Sequence, residues 1–66
     1  MLVYTDNEKR QYRLQDCNGY EIYRDDYFSG KRKYVVYKEA PKGSDEWATL
    51  EDFWTLREAR AWARKH

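Results

Sequence analysis

Asp16-Cys17-Asn18-Gly19-Tyr20-Glu21-Ile22-Tyr23, read together with Tyr34-Val35-Val36-Tyr37, decides the fold. Asn-Gly is the pair that most readily adopts the positive φ angles of a tight hairpin, so Asp16 and Tyr20 flank a chain reversal. Beyond it the side chains alternate over residues 20–28. Tyr20 and Ile22 share one face, while Glu21, Tyr23 and Asp25 share the other, the period of a half-buried strand. Ser29-Gly30-Lys31 is the next turn. Residues 33–40 then form the most β-prone run of the chain, because β-branched and aromatic side chains fill a pleated surface well.

Upstream, residues 10–16 alternate with Tyr12 and Leu14 on one face and Arg13 and Gln15 on the other. Asp6-Asn7-Glu8-Lys9 reads as a turn and residues 1–5 as a short strand. Downstream, Pro41-Lys42-Gly43-Ser44 ends the sheet, since proline cannot donate to the ladder. The period then changes. Thr55-Leu56-Arg57-Glu58 matches a capping box, in which the Thr55 hydroxyl accepts from the Glu58 amide and the Glu58 carboxylate reaches back to the Thr55 amide. Leu56, Ala59, Trp62 and Ala63 come next at helical spacing. Trp54 is placed to staple against Ala59, and Arg64, Lys65 and His66 suit the negative end of the helix dipole. Residues 45–54 fit two elements. Trp47, Leu50 and Phe53 or Trp54 suit a short helix capped by Ser44, whereas 46–50 suits a final edge strand.

The expected architecture is α+β: a small antiparallel meander of three to four strands with one C-terminal helix packed on one face. It is a single domain over 1–66, with the sheet at about 1–40, a loop or short element at 41–54 and the helix at 55–65. The expected core is Leu2, Tyr12, Leu14, Ile22, Tyr34, Val36, Leu56, Ala59, Trp62 and Ala63.

A chain of 66 residues buries a thin core, and such scaffolds commonly rely on a staple. Cys17 is the only cysteine and His66 the only histidine, so neither an internal disulfide nor a Cys/His metal cluster is available. Seven Tyr, three Trp and two Phe supply apolar area instead. The lone thiol fits a reducing compartment. Residues 1–5 are too soon followed by charges for a signal peptide, and no apolar run approaches the roughly 20 residues of a membrane span. A cytoplasmic protein without a membrane partner is expected.

Catalysis needs a constellation of groups, and none is legible. Asp25 and Asp26 are adjacent on a strand, so they point to opposite faces and read as surface charges near a turn. Ser29-Gly30-Lys31 joins two strands and lacks the glycine spacing of a phosphate loop. Cys17 has no internal histidine to activate it, and His66 on a fraying terminus is a poor base. The expectation is a protein that is not an enzyme and takes no metal or cofactor.

Binding is better supported. Lys31-Arg32-Lys33 is a basic triplet at a hairpin, with Arg24 before it and Lys38 after it. Tyr23, Tyr27, Phe28 and Tyr37 are expected on the same sheet surface. Aromatics interleaved with Lys and Arg can stack bases and meet phosphates. One helix covers one face only, and aromatics left on the other form the kind of patch that marks an interaction site. Arg57, Arg60 and Arg64 give a second basic surface on the helix, set against Asp45, Glu46, Glu51 and Asp52 just upstream. Such local segregation suits docking onto a protein of complementary charge.

Tyr20-Glu21-Ile22-Tyr23-Arg24, Gly30-Lys31-Arg32-Lys33-Tyr34-Val35-Val36-Tyr37 and Phe53-Trp54-Thr55-Leu56-Arg57-Glu58-Ala59-Arg60-Ala61-Trp62-Ala63 together resemble the strand-strand-helix domains at the N-termini of phage-type tyrosine recombinases. They are also similar to short orphan proteins of phage and mobile elements. The resemblance covers about two-thirds of the chain and consists of fold-determining positions. In the recombinase domains the sheet enters the DNA major groove, which would make Arg24, Lys31, Arg32, Lys33 and Lys38 the matching contact positions. Thirteen basic residues against twelve acidic ones leave a net charge of +1, however, and so little counterion release to drive nucleic-acid binding. The first expectation is therefore a small phage-type protein that binds and occludes a partner protein, for example a host defence complex. The alternative is a DNA-binding module using the sheet face. Homodimerisation through that face is a third arrangement.

Overall fold

The structure is a computed structural model and describes residues 1–38 and 48–66. Five strands form one antiparallel meander in chain order: β1 (Leu2–Thr5), β2 (Lys9–Cys17), β3 (Tyr20–Tyr27), β4 (Arg32–Lys38) and β5 (Ala48–Phe53). The helix α1 (Leu56–Lys65) comes last. The sheet thus has five strands against the three to four expected and continues past residue 40. Of the two readings of 45–54, the strand is the one present, though at Ala48–Phe53 rather than 46–50. The turn around Pro41 and the helix cap at Ser44 lie outside the described residues.

Local chemistry explains the turns. Asn18 and Gly19 both have positive φ, 53° and 83°, and Cys17 pairs with Tyr20 across them, which is the two-residue loop that Asn-Gly favours. Gly30 takes φ 100° at the next reversal. At the first, the Asp6 carboxylate accepts hydrogen bonds from the amides of Glu8 (2.8 Å) and Lys9 (2.9 Å). Those two bonds hold its pKa below the ordinary aspartate value.

The alternation expected for β2 breaks at a bulge between Arg13 and Gln15. An extra residue in one strand moves the later residues of that strand to the opposite face, so Gln15 stands across from Ile22 and not beside Arg13. Leu14, at the bulge, is half-buried.

On the helix side, Ile22, Val36 and Ala59 are fully buried, surrounded by Cys17, Tyr20, Tyr34, Phe53, Leu56 and Trp62. Ala63 is fully buried as well. Ala59 and Ala63 lie one turn apart on the face of α1 that meets the sheet, and their small side chains let the backbone come close. Trp62 closes the flank, edge-on to Tyr20 at 5.4 Å and tilted against Phe53 at 6.3 Å. His66 stacks on Trp62 at 4.2 Å. The Asn18 side-chain amide donates to the Ala63 carbonyl (2.9 Å), so the residue that makes the hairpin also satisfies the end of the helix.

Three expectations need correction. Leu2 is 50% exposed, because α1 packs on β2 to β5 and does not reach the edge strand β1. Trp54 is 63% exposed, with the Lys33 ammonium 5.1 Å from its ring centre, and it makes no staple. The cap at Thr55 is half of a capping box. Its hydroxyl accepts from the Glu58 amide at 3.2 Å, but the Glu58 carboxylate accepts a hydrogen bond from the Thr55 hydroxyl (2.9 Å) rather than from the Thr55 amide.

Candidate binding face of the sheet

Direct cross-strand partners share a face, and residues two apart on a strand do too. The face turned away from the helix therefore carries Tyr23, Asp25 and Tyr27 of β3, Lys9, Gln11 and Arg13 of β2, Lys33, Val35 and Tyr37 of β4, and Tyr4 of β1. Tyr23, Tyr27, Lys33 and Tyr37 are thus brought together as expected. Arg24, Arg32 and Lys38 are not: each lies an even number of residues from Ile22 or Val36 and so belongs to the helix side. Phe28 and Lys31 sit between β3 and β4, both exposed. Arg57, Arg60 and Arg64 are exposed on α1.

The centre of the open face is a residue that the sequence placed at the surface. Asp25 is 2% exposed. A buried carboxylate requires partners, and Asp25 has two: Lys9 Nζ donates at 3.0 Å and Gln11 Nε2 at 2.9 Å. Gln11 Nε2 also donates to the Tyr37 hydroxyl at 3.1 Å. Tyr37 packs edge-on to Tyr23, with ring centres 5.1 Å apart, and the Tyr23 hydroxyl donates to Glu21 at 3.2 Å. Burial, then the neighbouring Glu21 carboxylate, raises the Tyr23 pKa and keeps the phenol neutral. Burial alone would lower the Lys9 pKa, but the hydrogen bond and charge of Asp25 outweigh it and hold the ammonium above the ordinary lysine value.

Each described cation on this face is met in place by a carboxylate. Lys9 pairs with Asp25, Arg13 with Asp16 (2.8 Å) and Glu21 (3.1 Å), and Lys33 with Asp52 (3.0 Å). Two recesses open on either side of Tyr37. One, of about 230 Å³, is lined by Val3, Tyr4, Gln11, Tyr23 and Tyr37. The other, of about 180 Å³, is bounded by Lys9, Asp25, Tyr27, Lys33, Val35 and Asp52 as well as Tyr37. Both fall below the roughly 300 Å³ at which small-molecule sites begin. They are the size for one or two side chains of a partner.

Lys9, Gln11, Arg13, Val3 and Tyr4 escaped the sequence reading. The signal for the first three was the pairing of β2 with β3, which sets them opposite Tyr27, Asp25 and Tyr23. Cys17 Sγ lies 4.0 Å from the Arg60 carbonyl oxygen, and the described residues contain no group of three or more His, Cys, Asp or Glu placed to hold a metal. No helix among them is long and apolar enough to cross a membrane.

Compared with known proteins, the chain matches no family model, no curated protein and no solved structure.

Proposed function

We propose that this chain is a small non-enzymatic binding protein that grips a partner protein with the helix-free face of its sheet and blocks the surface it covers. One observation carries the reading. Lys9, Arg13 and Lys33, the described cations of that face, are each paired there with a carboxylate, amid Tyr4, Tyr23, Tyr27 and Tyr37. Tyrosine offers large contact area with a polar end and few rotamers to freeze, which is why protein interfaces are rich in it. Compensated charge sets orientation without a strong general pull on anions. β1 extends the surface, for Val3 and Tyr4 are 44% and 50% exposed and line the first recess. The same ion pairs weigh against this face as a DNA surface, because a neutralised cation displaces no counterion. A phage or mobile-element setting, with a host complex as the target, is part of the proposal and rests on the resemblance of strands and helix to recombinase-type domains.

The test combines a salt series with surface variants. Val3→Lys and Tyr23→Ala should leave the fold intact by circular dichroism and abolish partner capture. Random duplex DNA should bind no tighter than about millimolar at 50 mM salt. Micromolar DNA binding that weakens steeply towards about 200 mM salt, and that Lys33→Ala removes, would overturn the reading. Sedimentation showing a dimer that Tyr23→Ala dissociates would replace the partner with a second copy.

A further inference from the structure

On the helix side, the half of the sheet that α1 leaves uncovered carries a different balance of charge. Arg10, Asp26 and Arg32 stand in one row on adjacent strands. Arg24 lies two residues before Asp26 on the same face, in the next row between Tyr12 and Tyr34. Arg32 Nε donates to Asp26 Oδ1 at 2.9 Å, and Arg24 Nε sits 3.1 Å from the same oxygen. That second approach is an ion pair without a hydrogen bond: Arg24 Nε is buried and has no hydrogen-bond partner among the described residues. Two guanidinium groups therefore meet one carboxylate, which can neutralise only one of them, and Arg10 stands opposite Asp26 on the neighbouring strand.

Two of the three are held by rings. The Arg24 guanidinium lies 4.7 Å from the ring centre of Tyr12 and that of Arg10 lies 5.2 Å from that of Phe28. Stacking fixes the plane of a guanidinium while leaving its N–H edge free to bind. Arg24 and Arg32 both turn Nε towards Asp26, and the planar guanidinium of each is the group that fits a phosphate or carboxylate.

We propose that Arg24, Arg32 and Arg10 form an anion site for a phosphate monoester. Arg24, Arg32 and the adjacent Arg10 against Asp26 leave a formal surplus of two positive charges, the charge of a monoester dianion near neutral pH. A nucleic-acid backbone carries one charge per phosphate and is tracked by cations strung along a groove, whereas Arg24 and Arg32 converge on one carboxylate oxygen. The site faces away from the proposed partner surface and stands or falls apart from it.

The experiment is an NMR titration of the arginine Nε–H signals with inorganic phosphate at constant ionic strength and pH 7.5. The proposal expects saturable shifts at Arg24 and Arg32 with a dissociation constant of about millimolar or tighter. Arg32→Gln, at a position whose side chain is 57% exposed, should fold normally and weaken binding about tenfold. Dimethyl phosphate, a monoanion, should bind more weakly. Tighter binding of a 5′-mononucleotide or of O-phosphoserine than of inorganic phosphate also supports the site and identifies the carrier. Non-saturable shifts, or shifts unchanged in Arg32→Gln, overturn it. So does duplex DNA that perturbs Arg24 and Arg32 and is not displaced by phosphate.

Discussion

Ile22 and Val36 are wholly buried on one side of the sheet, and Asp25 and Val35, one to three residues away on the same strands, are 2% and 5% exposed on the other. The two sides reach nearly equal burial by different means. Against the helix, cover comes from Ala59, Leu56 and Trp62, apolar groups brought by a separate element. On the open side the cover includes Lys9, Gln11 and Tyr37, side chains of the sheet itself joined by hydrogen bonds around Asp25. Apolar contact is non-directional, whereas hydrogen bonds to a buried charge fix where each group must stand. The open side is therefore an ordered polar and aromatic layer with no other described element packed over it, and that combination leaves it suited to a partner.

The comparison can be broken from either side. Ile22→Ala should have the largest effect, about 3–4 kcal/mol, because it opens a cavity under the helix. Against a total of about 3–10 kcal/mol for a domain of this size, much of the protein would unfold, as urea denaturation would show. Asp25→Ala should cost less, about 2–3 kcal/mol, by stranding the Lys9 ammonium and the Gln11 amide. The reduction reflects the 23% exposure that Lys9 keeps. Replacing both members, as Lys9→Met with Asp25→Leu, should recover part of that loss. A cost near zero for Asp25→Ala would mean that the open layer contributes no order.

The smallest effect is in pH. The Lys9 pKa is raised in the folded state, so its contribution is fully present below the ordinary lysine pKa and is lost as pH rises through the folded value. At pH 10–11 the native protein should lose more stability than Lys9→Met does, by under about 1 kcal/mol.

Much of this architecture was legible because its signals are local. Asn18-Gly19 needs only its own φ angles, Tyr34 to Tyr37 only their shape, and Thr55 with Glu58 only the first turn of the helix. Strand β5 was not legible in the same way. Glu51-Asp52 has weak strand preference and becomes strand by pairing with Val36 and Val35. The helix-side position of Arg24 and Arg32 comes from alternation alone, counted from Ile22 and Val36, and it sets Arg32 on the opposite face from Lys33. The burial of Asp25 depends on Lys9 and Gln11, 16 and 14 residues away. Sequence periodicity could place it on the right face but not under cover. The bulge that carries Gln15 across likewise leaves no mark in the hydrophobic pattern.

Site-specific photo-crosslinking addresses the open face most directly, with a photoreactive phenylalanine analogue placed at Tyr23 or Tyr4 and, as control, at Arg60 on the exposed side of the helix. If the helix-free face is the contact surface, one protein species should crosslink from Tyr23 and Tyr4 and none from Arg60. Crosslinking from Arg60 alone, or equally from all three positions, would contradict it.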